Sequence, residues 1–249
     1  MRKLFIFDLD GTLINSRFDT FKEGALDFIE FIKGKGFEIT IATGRSYESA
    51  LHFANLLKID LPFISLDGAL IRDRFGKTYM KKAISKTEFK LMKEIFKNLK
   101  FVYFYEDYSV IHPDVEKYET IITHWKLKYK IHDGNLLNEP LKAIYMSEDF
   151  TYMKTLIREL KLIRSRGFYF YPSRKRKNLF IIDIVGKDVD KSVCVDFFKE
   201  QGYDYIVSVG DFVNDFPLLE RSDLGILMGC NYDGFVCVNS FDELKRIFT

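Results

Sequence analysis

The chain opens on an apolar run, Lys3 to Phe7 (KLFIF), that stops at Asp8, Leu9, Asp10 and Gly11. A continuous apolar stretch with a sharply polar end is the pattern of a central parallel strand covered on both faces. The period then changes. Ala25, Phe28, Ile29 and Ile32 recur at helical spacing within TFKEGALDFIEFIKGKG, and Gly34 and Gly36 mark the stop. FEITIATGR predicts a second buried strand, SYESALHFANLLKI a second helix and LPFISLDGA a third core strand. This βαβαβ rhythm predicts a parallel sheet with right-handed crossovers. In such sheets ligands bind beyond the carboxyl ends of the strands, so Asp8, Asp10, Thr43, Arg45 and Asp67 are expected on one rim.

Between about Met80 and Val185 the texture is different. Helix candidates SKTEFKLMKEIFKNL, DVEKYETIITHWKL and TYMKTLIREL are interleaved with short strands FVYFYE, SVIH and LKAIYMS, and GFYFYPSRKRKNLFIIDIV reads as a hairpin. Dense, alternating aromatic residues here predict an antiparallel sheet. After Gly186 the first texture returns: DKSVCVDFFKEQG as a helix, YIVSVGD as a buried strand with an acidic end, FPLLERS as a helix, LGILM as a strand and SFDELKRIF as a closing helix. The expected fold class is therefore α/β, a Rossmann-like doubly wound parallel sheet made of residues 1–79 and 186–249, with an inserted α+β domain at residues 80–185.

Composition narrows the function classes. A hydrophobic content of 47% supports a substantial core, and 38 basic against 36 acidic residues, a net charge of +2, gives no bulk argument for nucleic acid or a membrane surface. No apolar run approaches the roughly 18 residues a bilayer span needs. The three cysteines, Cys194, Cys230 and Cys237, lack CxxC spacing and suit reduced thiols, while MRK leads straight into the first strand without room for a signal peptide. The four histidines show no metal-ligand spacing. The expectation is a cytoplasmic protein whose chemistry is local.

Four pieces fall on the same rim: DLDGT after the first strand, TGR after the second, Lys191 at the opening of a late helix, and GDFVND after the late strand. Asp8 and Asp10, at i and i+2 in extended chain, project to one side. Asp211 and Asp215 add two more acids. Four converging carboxylates call for a hard cation with oxygen ligands, and Mg²⁺ suits a few carboxylates plus water and substrate phosphate. With the Thr43 hydroxyl, the Lys191 ammonium and backbone N–H groups holding further oxygens, the charge of a transferring phosphoryl group is neutralised and a carboxylate can attack phosphorus. Asp8 and Asp10 can divide the roles of nucleophile and general acid/base.

In this order, DLDGTL, TGR, Lys191 and GDFVND resemble the motifs of the haloacid dehalogenase superfamily of Mg²⁺-dependent phosphohydrolases, and the position and texture of the insert resemble its type IIB, or Cof-like, cap. The resemblance covers essentially the whole chain. It implies that Asp8 is the nucleophile and Asp10 the general acid/base, and that Mg²⁺ is held by the Asp8 side chain, the Asp10 carbonyl and Asp211, with Asp215 in support. It further implies that Thr43, Gly44, Lys191 and Asn214 bind the phosphoryl group of a small phosphorylated metabolite such as a sugar phosphate. The implied partner is that metabolite, with neither nucleic acid nor membrane. A monomer is compatible with this, and the oligomeric state is not legible.

One departure stands out: where relatives commonly carry Asn-Gly-Ala after the third core strand, LDGA supplies Asp67. An added negative charge beside a phosphate is repulsive unless it faces a substrate hydroxyl or a cation. Asp67 is left between a substrate contact and a turn residue, and Arg45 between a substrate contact and a partner for an acid of the rim. Thr43 and Ser46 are alternative caps for the second helix. The SRKRK run, Ser173 to Lys177, reads as a solvated turn, with contact to an anionic substrate as the sharper alternative. Phosphomutase-like transfer and a non-catalytic regulatory role remain as competing functions for the same fold.

Overall fold

The computed structural model describes residues 1–118, 122–123, 126–135, 137–163, 167–173, 177–229 and 232–249. Its centre is the strand Lys3–Phe7, in which Leu4, Phe5, Ile6 and Phe7 are all buried. Alternation divides them between two layers. Phe5 and Phe7 pack with Phe28, Ile32 and Phe241 on one face, whereas Leu4 and Ile6 pack with Val195, Phe198 and Leu218 on the other. Such double coverage explains why the strand reads as an unbroken apolar run.

The central sheet is parallel throughout, in the order Val236–Val238, Leu224–Met228, Tyr205–Gly210, Lys3–Phe7 and Phe37–Ile41. Phe5 sits opposite both Val207 and Ile39, so the carboxyl ends of three strands finish together and carry Asp8, Thr43 and Asp211 to one edge. The third expected core strand departs from the reading. Phe63–Ser65 touches the sheet through the single bridge Ala42 to Ile64 and then opens an antiparallel sheet with Leu70–Arg72 and Thr78–Lys81. The last of these strands crosses the expected junction at residues 79 and 80. The first helix is also shorter than expected, spanning Ala25–Gly34, because Thr20–Phe21 pairs with Ile14–Asn15 in a small hairpin ahead of it.

A second sheet of six strands runs in the order Tyr129–Ile131, Ser109–Ile111, Lys100–Phe104, Lys142–Ser147, Phe180–Val185 and Phe168–Pro172. Its pairs are antiparallel except that Tyr129–Ile131 lies parallel to Ser109–Ile111. The helices Lys86–Ile95 and Phe150–Ile163 cover one face, where Phe89, Met92, Met153 and Leu156 pack on Tyr103, Tyr145 and Ile182. The opposite face presents Phe104, Ile144, Tyr171 and Ile181 to the carboxyl-end rim of the first sheet. Residues 119–121 and 124–125 of the expected helix DVEKYETIITHWKL and the centre of SRKRK lie outside the described residues. The described start of the former is the 3-10 turn Pro113–Val115. No described helix is long and apolar enough to cross a membrane.

Candidate active site

At the end of the first strand the Asp8 amide donates to the Val209 carbonyl at 2.9 Å, which ties the acid to the neighbouring strand. Asp215 closes the turn after Tyr205–Gly210: its Oδ2 accepts from the amides of Asp211 (3.0 Å) and Phe212 (3.1 Å). Lys191, just before the helix Val193–Glu200, donates from Nζ to Asp8 Oδ1 and to Asp215 Oδ1, both at 2.6 Å. This ammonium is 1% exposed. Burial alone would lower its pKa, but Asp215 and Asp8 hold it well above the ordinary lysine value, so it stays charged. The Asp8 carboxyl is pushed well up by burial and by the charges of Asp215 and Asp211, against the pull of Lys191.

Oxygens of Asp8, Asp211 and Asp215 lie within 4.8 Å of one another. Gly11, at φ +93°, brings the first loop against them, and a Cβ at that position would stand 1.8 Å from Asp211 Oδ2. Hard carboxylate donors in a space kept open by a missing side chain fit a small divalent cation of the Mg²⁺ kind.

Arg45 meets two acids beside the cavity. Its Nε and Nη2 donate to Asp10 Oδ2 and Oδ1 at 2.6 and 2.7 Å, a two-pronged grip, and Nη2 also reaches Asp19 Oδ1 at 2.6 Å. Against the lowering effect of burial, these acids raise the guanidinium above its ordinary pKa. Arg45 thus pairs with an acid of the rim and pins the Ile14–Asn15/Thr20–Phe21 hairpin through Asp19. Ser46, not Thr43, caps the second helix, accepting from the Ser49 amide at 3.3 Å. The Thr43 hydroxyl accepts from the Arg45 amide at 3.2 Å and is 1% exposed at the cavity wall.

Asp67 is buried in a turn in which both Leu66 and Asp67 take φ 53°. Left-handed conformations cost a non-glycine residue of order 1–3 kcal/mol and persist only where neighbours impose them. Here the Leu66 amide donates to Arg45 O (2.9 Å) and the Asp67 amide to Thr43 O (3.1 Å). The side chain meets a cation that the sequence reading missed: Lys142 Nζ donates to Asp67 Oδ2 (2.7 Å), to Gly44 O (3.0 Å) and to Asp183 Oδ2 (2.8 Å). Asp183 Oδ2 also accepts from the Tyr171 hydroxyl at 2.8 Å, and its Oδ1 has no partner among the described residues. Asn214 Nδ2 donates to Asp67 Oδ1 at 3.3 Å. Although burial opposes it, Lys142 and Lys191 hold Asp67 below the usual carboxylate pKa, whereas burial and the Asp67 charge push Asp183 up against Lys142.

A signal for the missed residues was present. Lys142 opens the apolar strand KAIYMS and Asp183 interrupts FIIDIV, and a charge inside an apolar run requires a partner. Both lie on the face of the second sheet that closes a cavity of about 340 Å³ over the rim. Asp8, Asp10, Thr43, Arg45, Asp67 and Lys191 line its floor, and Gly44, Asp211 and Asn214 also border it, whereas Asp215 stands behind Lys191, fully buried. The opposite wall is apolar and aromatic, with Phe104, Ile144, Tyr169 and Ile181.

The model of the haloacid dehalogenase-like hydrolase family matches residues 5–233. The stress response protein YhaX of Bacillus subtilis (strain 168) is 23% identical over 273 residues, covering 98% of this chain and 86% of YhaX. The 5-amino-6-(5-phospho-D-ribitylamino)uracil phosphatase YitU of the same organism is 22% identical over 269 residues, covering 98% of this chain and 89% of YitU. In fold, a HAD/Cof-like hydrolase from Plasmodium vivax superposes with a TM-score of 0.80 at 18% identity, over 99% of this chain and 95% of that one. The chain belongs to the haloacid dehalogenase-like hydrolase family.

Proposed function

We propose that the chain is a Mg²⁺-dependent phosphomonoesterase that hydrolyses a small phosphorylated metabolite through an aspartyl-phosphate on Asp8. The observation that carries this reading is the buried Lys191 ammonium shared between Asp8 and Asp215, with Asp211 beside them, on the floor of a cavity closed by a second sheet. Asp8, Asp211 and Asp215, with the Asp10 carbonyl, would hold the ion. When bound it supplies positive charge that draws electron density from the phosphoryl oxygens.

The chain's own residues then divide the work. A carboxylate oxygen of Asp8 forms the bond to phosphorus as the ester bond breaks, and Asp10 gives the leaving oxygen its proton. In the second half Asp10 takes a proton from water, whose oxygen attacks phosphorus and frees Asp8. Lys191, Thr43, the Gly44 backbone and Asn214 hold the phosphoryl oxygens. Arg45, gripping both oxygens of Asp10 and reaching Asp19, orients Asp10 and ties it to the Ile14–Asn15/Thr20–Phe21 hairpin.

The alcohol part of the substrate occupies the space between the acceptors Asp67 and Asp183 and the aromatic wall. A sugar or polyol phosphate, with hydroxyl donors and C–H faces, matches both sides. We read the compartment as the cytoplasm, Cys194 and Cys237 both being free thiols.

Phosphate release from a panel of sugar, polyol and nucleotide monophosphates, with Mg²⁺ or EDTA, tests the reading. Expected is metal-dependent release that Asp8→Asn abolishes, ranked highest in kcat/KM for polyhydroxylated esters. Release that survives in Asp8→Asn, or that EDTA leaves unchanged, overturns it.

A further inference from the structure

We propose that Lys142 is a positioning residue whose ammonium, delivered from the second sheet, neutralises Asp67 and thereby makes the phosphoryl end of the cavity compatible with an anion. The inference rests on the phosphatase reading above and adds an electrostatic requirement to it.

Asp67 touches two of the groups proposed to hold the phosphoryl oxygens. Its Oδ1 accepts from Asn214, and a Cβ at Gly44 would lie only 2.8 Å from that same oxygen, so the carboxylate rests directly on the Thr43–Gly44 loop. At 2% exposure, solvent ions do little to screen it. Left alone, this charge opposes a bound phosphate.

Lys142 removes that conflict. An ammonium has three protons to donate, and here they meet three acceptors: Asp67, the Gly44 carbonyl and Asp183. The first two stand on the rim of the parallel sheet and the third on the second sheet, one strand away from Lys142 itself. The lysine is therefore a staple between the two sheets as well as a countercharge. Both members of the Lys142–Asp67 pair are 2% exposed, and its charge balance exists only while the second sheet is seated on the rim. Toward a bound anion Asp67 and Lys142 act as one unit: the carboxylate repels it unless the ammonium stands beside it.

The test is a double-mutant cycle read by binding of inorganic phosphate in the presence of Mg²⁺, with wild type, Lys142→Met, Asp67→Asn and the double variant compared by titration calorimetry. Lys142→Met is expected to weaken phosphate by roughly tenfold or more, because an uncompensated buried charge then faces the anion. The double variant is expected to regain most of that loss, since a neutral amide at position 67 needs no countercharge. If Lys142→Met fails to fold and the double variant folds, the same compensation is read from soluble yield. A double variant that binds phosphate no better than Lys142→Met overturns the proposal, as does a Lys142→Met chain that binds as well as wild type. Wild type that does not bind phosphate with Mg²⁺ overturns the phosphatase reading itself, and the two failures are thereby told apart.

Discussion

Replacing Lys191 by methionine preserves much of the side chain's length and removes its charge. The ammonium is 1% exposed and lies 2.6 Å from both Asp8 and Asp215. Taking away one partner of a buried pair costs about 3–5 kcal/mol, because the remaining charge is left without compensation. Here two carboxylates lose the same cation, and an oxygen of Asp211 stands within 4.8 Å of theirs. At about 2–4 °C per kcal/mol for a chain of this size, the melting temperature of Lys191→Met in EDTA is expected to fall by about 6–20 °C. Mg²⁺ binds the folded cluster in preference to the unfolded chain, so it stabilises both proteins, and at a hundredfold excess over Kd it contributes about 2.7 kcal/mol, or roughly 5–11 °C. The gain should be larger in the variant, where no lysine competes for the acids. Scanning calorimetry in EDTA and in Mg²⁺ makes the comparison, with phosphate release measured alongside and expected to be lost. A variant melting within about 2 °C of wild type in EDTA would refute the account of Lys191 as the countercharge of the site.

Two further outcomes are expected. Gly11→Ala places a side chain at φ +93° and 1.8 Å from Asp211 Oδ2, so titration calorimetry should show Mg²⁺ affinity lower by about tenfold or more; unchanged affinity would mean that Asp211 is not a ligand. Tyr103, whose hydroxyl lies 3.1 Å from that of Tyr145, is held up to about pKa 12 by burial, against the hydrogen bond to Tyr145. An unfolded tyrosine titrates near 10, so from about pH 10 to 12 the unfolded chain loses a proton that the folded one keeps, and stability present below pH 10 declines by about 1.4 kcal/mol per pH unit. Urea midpoints across that range should fall less steeply in Tyr103→Phe, and equal slopes would contradict the assignment.

How much of this was legible depended on whether the cause was local. Asp8 and Asp211 could be placed because each ends a strand buried on both faces, and such strands read as apolar runs with polar ends. The tyrosines of FYFYP announced a pleated face by alternation, and Tyr169 and Tyr171 are the two that line the cavity. The hairpin Ile14–Asn15/Thr20–Phe21 has two residues per strand, too few for a period of two to register. The strands Leu70–Arg72, Thr78–Lys81, Tyr129–Ile131 and Val236–Val238 escaped for similar reasons of length. The left-handed pair Leu66 and Asp67 could not be read at all: no glycine marks those two positions, and the conformation is imposed by carbonyls of residues 45 and 43. Lys142 was visible as an anomaly, but its partner Asp67 is 75 residues away, a distance over which pattern carries nothing.

Among the described residues, the buried cations of the cavity follow one rule that no single motif reveals: each is shared between two carboxylates. Lys191 serves Asp8 and Asp215, Arg45 serves Asp10 and Asp19, and Lys142 serves Asp67 and Asp183. The surroundings of the three groups differ. Around Arg45 the acids are partly open, 27% and 31% exposed. Around Lys142, burial and the Asp67 charge push the Asp183 carboxyl up, against the pull of Lys142 and of the Tyr171 hydroxyl that donates to its Oδ2. Around Lys191 the two acids are sealed from solvent and Asp211 adds a third carboxylate within reach. Three hard carboxylate donors gathered there fit a divalent cation as countercharge.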